Sequence, residues 1–198
     1  MISPVKTQLN LSNEQYFILP GYYNWQQFKT FEAAIEKSPG IRIFYLDGCI
    51  EIMTLGEQHE AISRMIATLL SLYFLHNQIE FIPVGSATRE SEDKNVSFQP
   101  DESYYIGEQK EHPDLAVEVV ISSGNTSKLE KYKRLNITEV WFWENNQLSI
   151  YSLKDGNYEA YSQSQLLPSL DINLLVNCVQ MSSKLEAMTA FSQGISGE

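Results

Sequence analysis

Hydrophobic positions along this chain follow two rhythms, one of period three to four and one of period two, and the switches between them mark out its elements. In HEAISRMIATLLSLYFLH, residues 59–76, apolar side chains recur at 62, 65, 66, 69, 70 and 73, the stripe of a helix that starts near Gln58 and lies on a sheet. Trp25, Phe28, Phe31 and Ile35 keep a similar spacing behind Asn24, a good N-cap, and predict a helix running to about Lys37 before Pro39-Gly40 stops it. Two β-rich runs, IRIFYL and CIEIM, flank Asp47-Gly48, a pair suited to a type I′ turn, and predict a hairpin. LAVEVVI, residues 115–121, is the clearest core strand, and IEFIPVG reads as a shorter buried one.

Between these, Glu90 to Asn95 reads as a charged loop, and VSFQPD with SYYIG as an extended arm ending at Gly107. Ser127 and Glu130 fit a capping box for a short helix with Leu129, Tyr132 and Leu135 on its apolar stripe, ending near Asn136. TEVWFWE, QLSIYSL and NYEAYS, separated by turns at Asn145-Asn146 and Asp155-Gly156, form a strand meander whose Trp141 and Trp143 either both belong in the core or leave one ring as a stacking surface. A final helix spans about Ser182 to Phe191. This order predicts an α/β fold of mixed type, a central mixed sheet flanked by helices. No linker divides the chain, so residues 1–198 read as one domain: an arm over 1–23 with Pro4, Pro20 and Gly21, a core over 24–192, and a loose tail over 193–198.

A composition of 43% hydrophobic, 20% charged and 12% aromatic residues supports a sizeable core. Apolar stretches stop well short of the ~20 residues that cross a bilayer, and Met1 to Leu11 lacks a signal-peptide core, so no membrane role is expected. Cys49 and Cys178 match no disulfide or metal-ligand spacing, which places the chain in a reducing cytoplasm. The net charge of −11 opposes broad binding to phosphates. Lys128, Lys131, Lys133 and Arg134 form a local basic cluster against that background.

Candidate chemistry centres on Asp101 and Glu118. If the runs around EQKEHP pair as a hairpin centred near Lys110, Asp101 faces residue 119 to within one or two positions. Facing positions lie ~5 Å apart at Cβ, so two carboxylates there call for a cation between them. Glu118 is the sole charge in its strand and shares a face with the small Ala116 and Val120. Burial of a carboxylate requires a pair, a proton or a metal; the plainer alternative is a strand-end glutamate reaching water or an arginine.

Lys128 sits in a first helical turn, where the macrodipole disfavours it. It is either an ordinary solvated lysine or a cation that holds an attacking water and stabilises phosphate charge. Glu60 either adds a carboxylate to the site or pairs with Arg64 at i+4. His59, beside Ile62 and Ile66, reads as a packed, hydrogen-bonded histidine, and His112 and Asp114 as turn formers around Pro113.

In order and spacing, DGCIEIM at 47–53, HE at 59–60, PD at 100–101, VEVVIS at 117–122 and KLEKYKRLNITEVWFWE at 128–144 resemble the Uma-type family of bacterial restriction-endonuclease-like proteins, within the PD-(D/E)XK superfamily. The resemblance spans roughly residues 25 to 160. It implies a restriction-endonuclease-like fold and Mg²⁺-dependent hydrolysis of nucleic acid, with Mn²⁺ as substitute. It also implies that Asp101, Glu118 and the Val119 carbonyl bind the metal and that Glu60 assists from its helix. The superfamily lysine position falls at Val120, and the family pattern moves that role to Lys128; the intervening connector carries SSGN where Ser-Pro-Ser-Thr is usual. Lys131, Lys133 and Arg134 then become nucleic-acid contacts beside the metal. DNA ranks ahead of RNA, and a homodimer is the expected assembly. Beside the active endonuclease stand two other readings, a non-hydrolysing binding or regulatory module of the same fold and a metal-dependent hydrolase of a non-nucleic substrate.

Overall fold

The computed structural model describes residues 15–121 and 128–197. Elements follow in the order β1 (Gln15–Ile18), α1 (Trp25–Ile35), β2 (Ile41–Leu46), β3 (Cys49–Thr54), α2 (Glu57–His76), β4 (Phe81–Pro83), β5 (Arg89–Ser91) and β6 (Val96–Phe98). They continue with β7 (Glu102–Ile106), β8 (Leu115–Val120), α3 (Lys128–Arg134), β9 (Glu139–Glu144), β10 (Gln147–Lys154), β11 (Asn157–Tyr161), α4 (Ile172–Gln180) and α5 (Lys184–Ser196). The fold is α/β, built on two sheets.

The β2–β3 hairpin seeds the first sheet. Asp47 and Gly48 both take positive φ, 45° and 87°, as the type I′ turn demands. β1, β6 and β5 extend the hairpin on its two sides in the order β1-β3-β2-β6-β5, with antiparallel pairing throughout. Alternation along β2 gives its two faces different work. Ile43 and Tyr45 pack with Phe28 of α1 and Ile50, while Phe44 joins Met53, Val96, Phe98 and Tyr132 on the opposite face.

The second sheet, β11-β10-β9-β8-β7-β4, is mixed, because β8 and β9 run parallel while every other neighbour is antiparallel. A parallel pair needs a crossover, and α3 lies in that crossover between β8 and β9. β8 is buried along its whole length. Leu115, Val117 and Val119 face α2, α4 and α5 in the largest core, together with Trp141 and Trp143, whereas Ala116 packs with Val140 and the residues of α3 on the side of the first sheet.

Several sequence expectations are corrected here. Within the expected N-terminal arm, Gln15–Ile18 is an edge strand, held by pairing with β3 rather than by any apolar rhythm of its own. The charged stretch 90–95 is not simply a loop: Glu90 and Ser91 end β5, which folds back on β6. α4, which the reading leaves without an element, starts at the Asp171 N-cap, whose side chain accepts from Leu174 N–H. The C-terminal helix reaches Ser196 instead of stopping at Phe191, so residues 193–196 are helical rather than loose. Gly194 does not break it but lets Leu174 approach, since a Cβ there would come within 2.5 Å of Leu174 Cδ2. The Ser127 half of the predicted capping box and the SSGN connector lie outside the described residues.

Candidate active site

Asp101 owes its position to the step between the sheets. β6 ends at Phe98 in one sheet and β7 begins at Glu102 in the other, so Gln99-Pro100-Asp101 crosses the gap. Pro100 suits the crossing because it lacks a ladder donor and keeps the preceding residue extended. Asp101 N–H donates to the Val117 carbonyl at 3.2 Å, and its Oδ2 accepts from Val119 N–H at 2.6 Å. The β7–β8 register pairs Glu102 with Val117 and, continued by one residue, faces Asp101 to Glu118, one position from the expected 119.

Glu118 lies on a strand bordered on both sides, so it has no sheet edge through which to reach water, and it is only 4% exposed. The strand-end alternative does not apply. Instead the Tyr132 hydroxyl of α3 donates to Glu118 Oε1, and Lys128 Nζ stands 4.0 Å from Oε2. Both partners arrive on the crossover helix that parallel pairing of β8 and β9 requires.

The two carboxyls titrate in opposite directions. Burial alone would raise Asp101, but the His59 hydrogen bond, the Arg42 guanidinium and the Val119 N–H together hold it below its ordinary 3.8. Glu118 is pushed above 4.5, first by burial and then by the Asp101 charge, with Lys128, Tyr132 and Arg42 offsetting part of this. Tyr132 is pushed well up by burial and by Glu118, so its hydroxyl remains a donor.

Arg42, which the sequence reading passes over, is the cation set against Asp101. It projects from β2 on the Phe44 face, is 7% exposed, bonds Asp101 Oδ1 through Nη1, and brings Nη2 within 3.9 Å of Glu60 Oε1. His59 is packed as expected, yet it also places Nε2 3.1 Å from Asp101 Oδ2. Glu60 itself is at the rim, 3.9 Å from Arg64 Nε as well, and meets the centre through Arg42 and His59. Next to it Glu102, also missed, is buried with Arg64 Nη1 at 3.0 Å; burial raises its carboxyl, and Arg64 and Ser63 offset part of that.

The basic cluster divides three ways. Lys131 is buried against Glu51 and over the Phe44 ring at 4.7 Å; burial lowers its ammonium pKa, and Glu51 offsets part of that. Lys133 reaches Asn157 Oδ1 at 2.9 Å on the rim of the second sheet. Arg134 staples α3 to the hairpin turn through Asp47 at 2.6 Å and also bonds Glu130 at 2.9 Å. Thus Asp101, Glu118, Val119 and Lys128 share one centre, Glu60 borders it, and Lys131, Lys133 and Arg134 diverge from it. Asp114 is a loop clasp, binding Lys110 and the Ile106 N–H.

Two buried carboxylates, Asp101 and Glu118, are hard oxygen donors of the kind Mg²⁺ prefers. Among the described residues no three His, Cys, Asp or Glu side chains are grouped to hold a metal ion. Asp101 and Glu118 would therefore supply at most two carboxylates to a divalent ion, the number Mg²⁺ takes where it keeps several of its waters.

A family model described as "Uma2: Putative restriction endonuclease" matches residues 25–183. The matched span contains every residue of the centre together with both sheets apart from β1. No curated protein matches the chain. No helix among the described residues is long and apolar enough to cross a membrane.

Proposed function

Because the chain belongs to the Uma2 family of restriction-endonuclease-like proteins, we propose that it is a divalent-metal-dependent endonuclease hydrolysing phosphodiester bonds of nucleic acid, DNA ahead of RNA. One observation carries the reading: two buried carboxylates, Asp101 in the connector before β7 and Glu118 within β8, lie side by side, with Lys128 Nζ 4.0 Å from the second. Structural carboxylates are seldom buried side by side, since each adds to the cost of ionising the other.

In this reading Asp101, Glu118 and the Val119 carbonyl hold Mg²⁺, or Mn²⁺ in its place, which when bound supplies Lewis acidity and a water of lowered pKa. Tyr132 fixes the rotamer of Glu118 through its hydroxyl. Lys128 has three donors and spends one side on Glu118, leaving the others for a phosphate oxygen and the attacking water. Glu60, half-exposed at the rim, completes the acidic mouth. Lys133, at the outer side of α3, is a contact for the phosphate backbone, and its effect is confined to affinity.

Cleavage of plasmid and single-stranded DNA, with RNA in parallel, tests the proposal. Turnover is expected with Mg²⁺ or Mn²⁺, none with chelator, and a loss of at least 100-fold in Glu118→Ala. Absence of turnover under any metal, or equal turnover in Glu118→Ala, removes it. A second reading, a nuclease-fold module that binds without cleaving, is favoured by the cations already set against Asp101 and by the net charge of −11. It predicts nucleic-acid binding unaltered by Glu118→Ala.

A further inference from the structure

Arg42 is the one charged residue of β2, in a strand otherwise made of Ile, Phe, Tyr and Leu. Nothing in the requirements of that strand calls for it, because its neighbours on the same face, Phe44 and the cross-strand Met53, are core residues. Its guanidinium is buried, bonded to Asp101 Oδ1, with the other terminal nitrogen 3.9 Å from Glu60 Oε1. It therefore spans two of the carboxylates that the proposed function directs toward a metal ion. It also lines an open cleft of about 440 Å³, shared with Gly56, Glu60, Arg64, Ser86 and Gln99, so the side chain has space on its solvent side into which to withdraw.

We propose that Arg42 is a resident counter-ion that occupies the charge position of the divalent ion and competes with it, so that metal binding requires the guanidinium to leave Asp101 for the adjoining cleft. The inference rests on the metal-dependent reading above. A buried carboxylate cannot stand without compensation; Arg42 provides it in the metal-free state. An arriving divalent cation meets a like charge at close range, which weakens its binding until that charge moves. Once in the cleft the planar guanidinium presents paired donors to an incoming phosphodiester. Lys could not do the same, because its point charge can satisfy Asp101 but not span to Glu60.

Calorimetric titration with Mn²⁺ alone tests this on the full chain, comparing wild type with Arg42→Gln, Arg42→Met and Arg42→Lys. The two neutral variants are expected to bind Mn²⁺ at least tenfold more tightly than wild type and to show the larger rise in melting temperature on adding metal. Arg42→Lys, which keeps the charge, stays close to wild type. A neutral variant unfolded without metal but folded by Mn²⁺ supports the exchange equally. Affinity in the neutral variants equal to or weaker than wild type overturns the role of Arg42 while leaving the metal site intact. Failure of both neutral variants to fold at any Mn²⁺ concentration also overturns it, because the ion then does not replace the guanidinium. If no form of the chain binds Mn²⁺, the metal-dependent reading falls together with the inference.

Discussion

Asp101 and Glu118 are both buried carboxyls, facing one another where the β7–β8 register continues by one residue, yet their surroundings drive them apart. Asp101 accepts from a backbone N–H and stands against an arginine and a histidine, so it is held as an anion. Glu118 is held toward its neutral form by burial and then by the charge of Asp101 beside it, which one phenol donor and a lysine at 4.0 Å only partly offset. The difference teaches that the first carboxylate is a fixed part of the fold and the second is the unsatisfied one.

The largest effect that would break this comparison is at the fixed member. Asp101→Asn leaves Arg42 buried opposite a neutral amide, and breaking such a pair costs about 3–5 kcal/mol. Urea melts without metal should show that loss; a loss no greater than for an exposed aspartate would mean Arg42 does not depend on Asp101.

The opposite sign is expected at Glu118. Glu118→Gln removes the repulsion and should stabilise the metal-free protein by on the order of 1 kcal/mol at neutral pH, a rise of ~2–4 °C in melting temperature for a chain of this size. The pH dependence distinguishes the two carboxyls. Asp101, lowered from 3.8, contributes stability that is present above that pH and lost as pH falls through its depressed value. Glu118, raised from 4.5, contributes stability that is complete below 4.5 and lost as pH rises through its elevated value. The advantage of Glu118→Gln over wild type should accordingly be absent at acid pH and grow above 4.5, as thermal melts from acid to neutral pH would show. An advantage independent of pH would assign it to packing instead.

Tyr132→Phe gives the smallest effect and sharpens the comparison most. It deletes the donor to Glu118 at a cost below about 1 kcal/mol, and since Tyr132 lowers the Glu118 carboxyl, the midpoint of that pH-dependent advantage should move upward. Carbon-13 shifts of the Glu118 carboxyl follow it directly, and an unmoved midpoint would mean that the phenol leaves the charge of Glu118 untouched.

Much of this arrangement is legible in the sequence wherever one residue breaks a local rule. Glu118 stands alone among Val, Ala and Leu, and the hairpin pairing of its strand with the segment holding Asp101 follows from spacing to within one register step. Arg42 in IRIFYL and Glu51 in CIEIM are likewise single charges in apolar runs, and their buried partners are Asp101 and Lys131. What spacing cannot supply is which side chains meet across separate sheets. Tyr132 belongs to an apolar stripe by periodicity and is indeed core, but its hydroxyl reaches Glu118 only because α3 lies over the face of β8 that Ala116 also occupies. The basic cluster fails as a unit for the same reason: a helix turns its neighbours in sequence to different sides, burying Lys131 and leaving Lys133 outside. β1 is a short strand stabilised by β3 rather than by its own composition, whereas α4 is short but apolar, with Leu175, Cys178 and Val179 buried behind the Asp171 N-cap.

The three-residue step from β6 to β7 has a mechanical result. Asp101 belongs to neither layer and is tethered to both, through Pro100 and the Arg42 contact on one side and through Val117 and Val119 on the other. Anything that grips Asp101 and Glu118 at once ties this connector to the second sheet, so occupancy at the centre would be felt in β6, which ends three residues before Asp101, and in β2 through any change in the Arg42 contact.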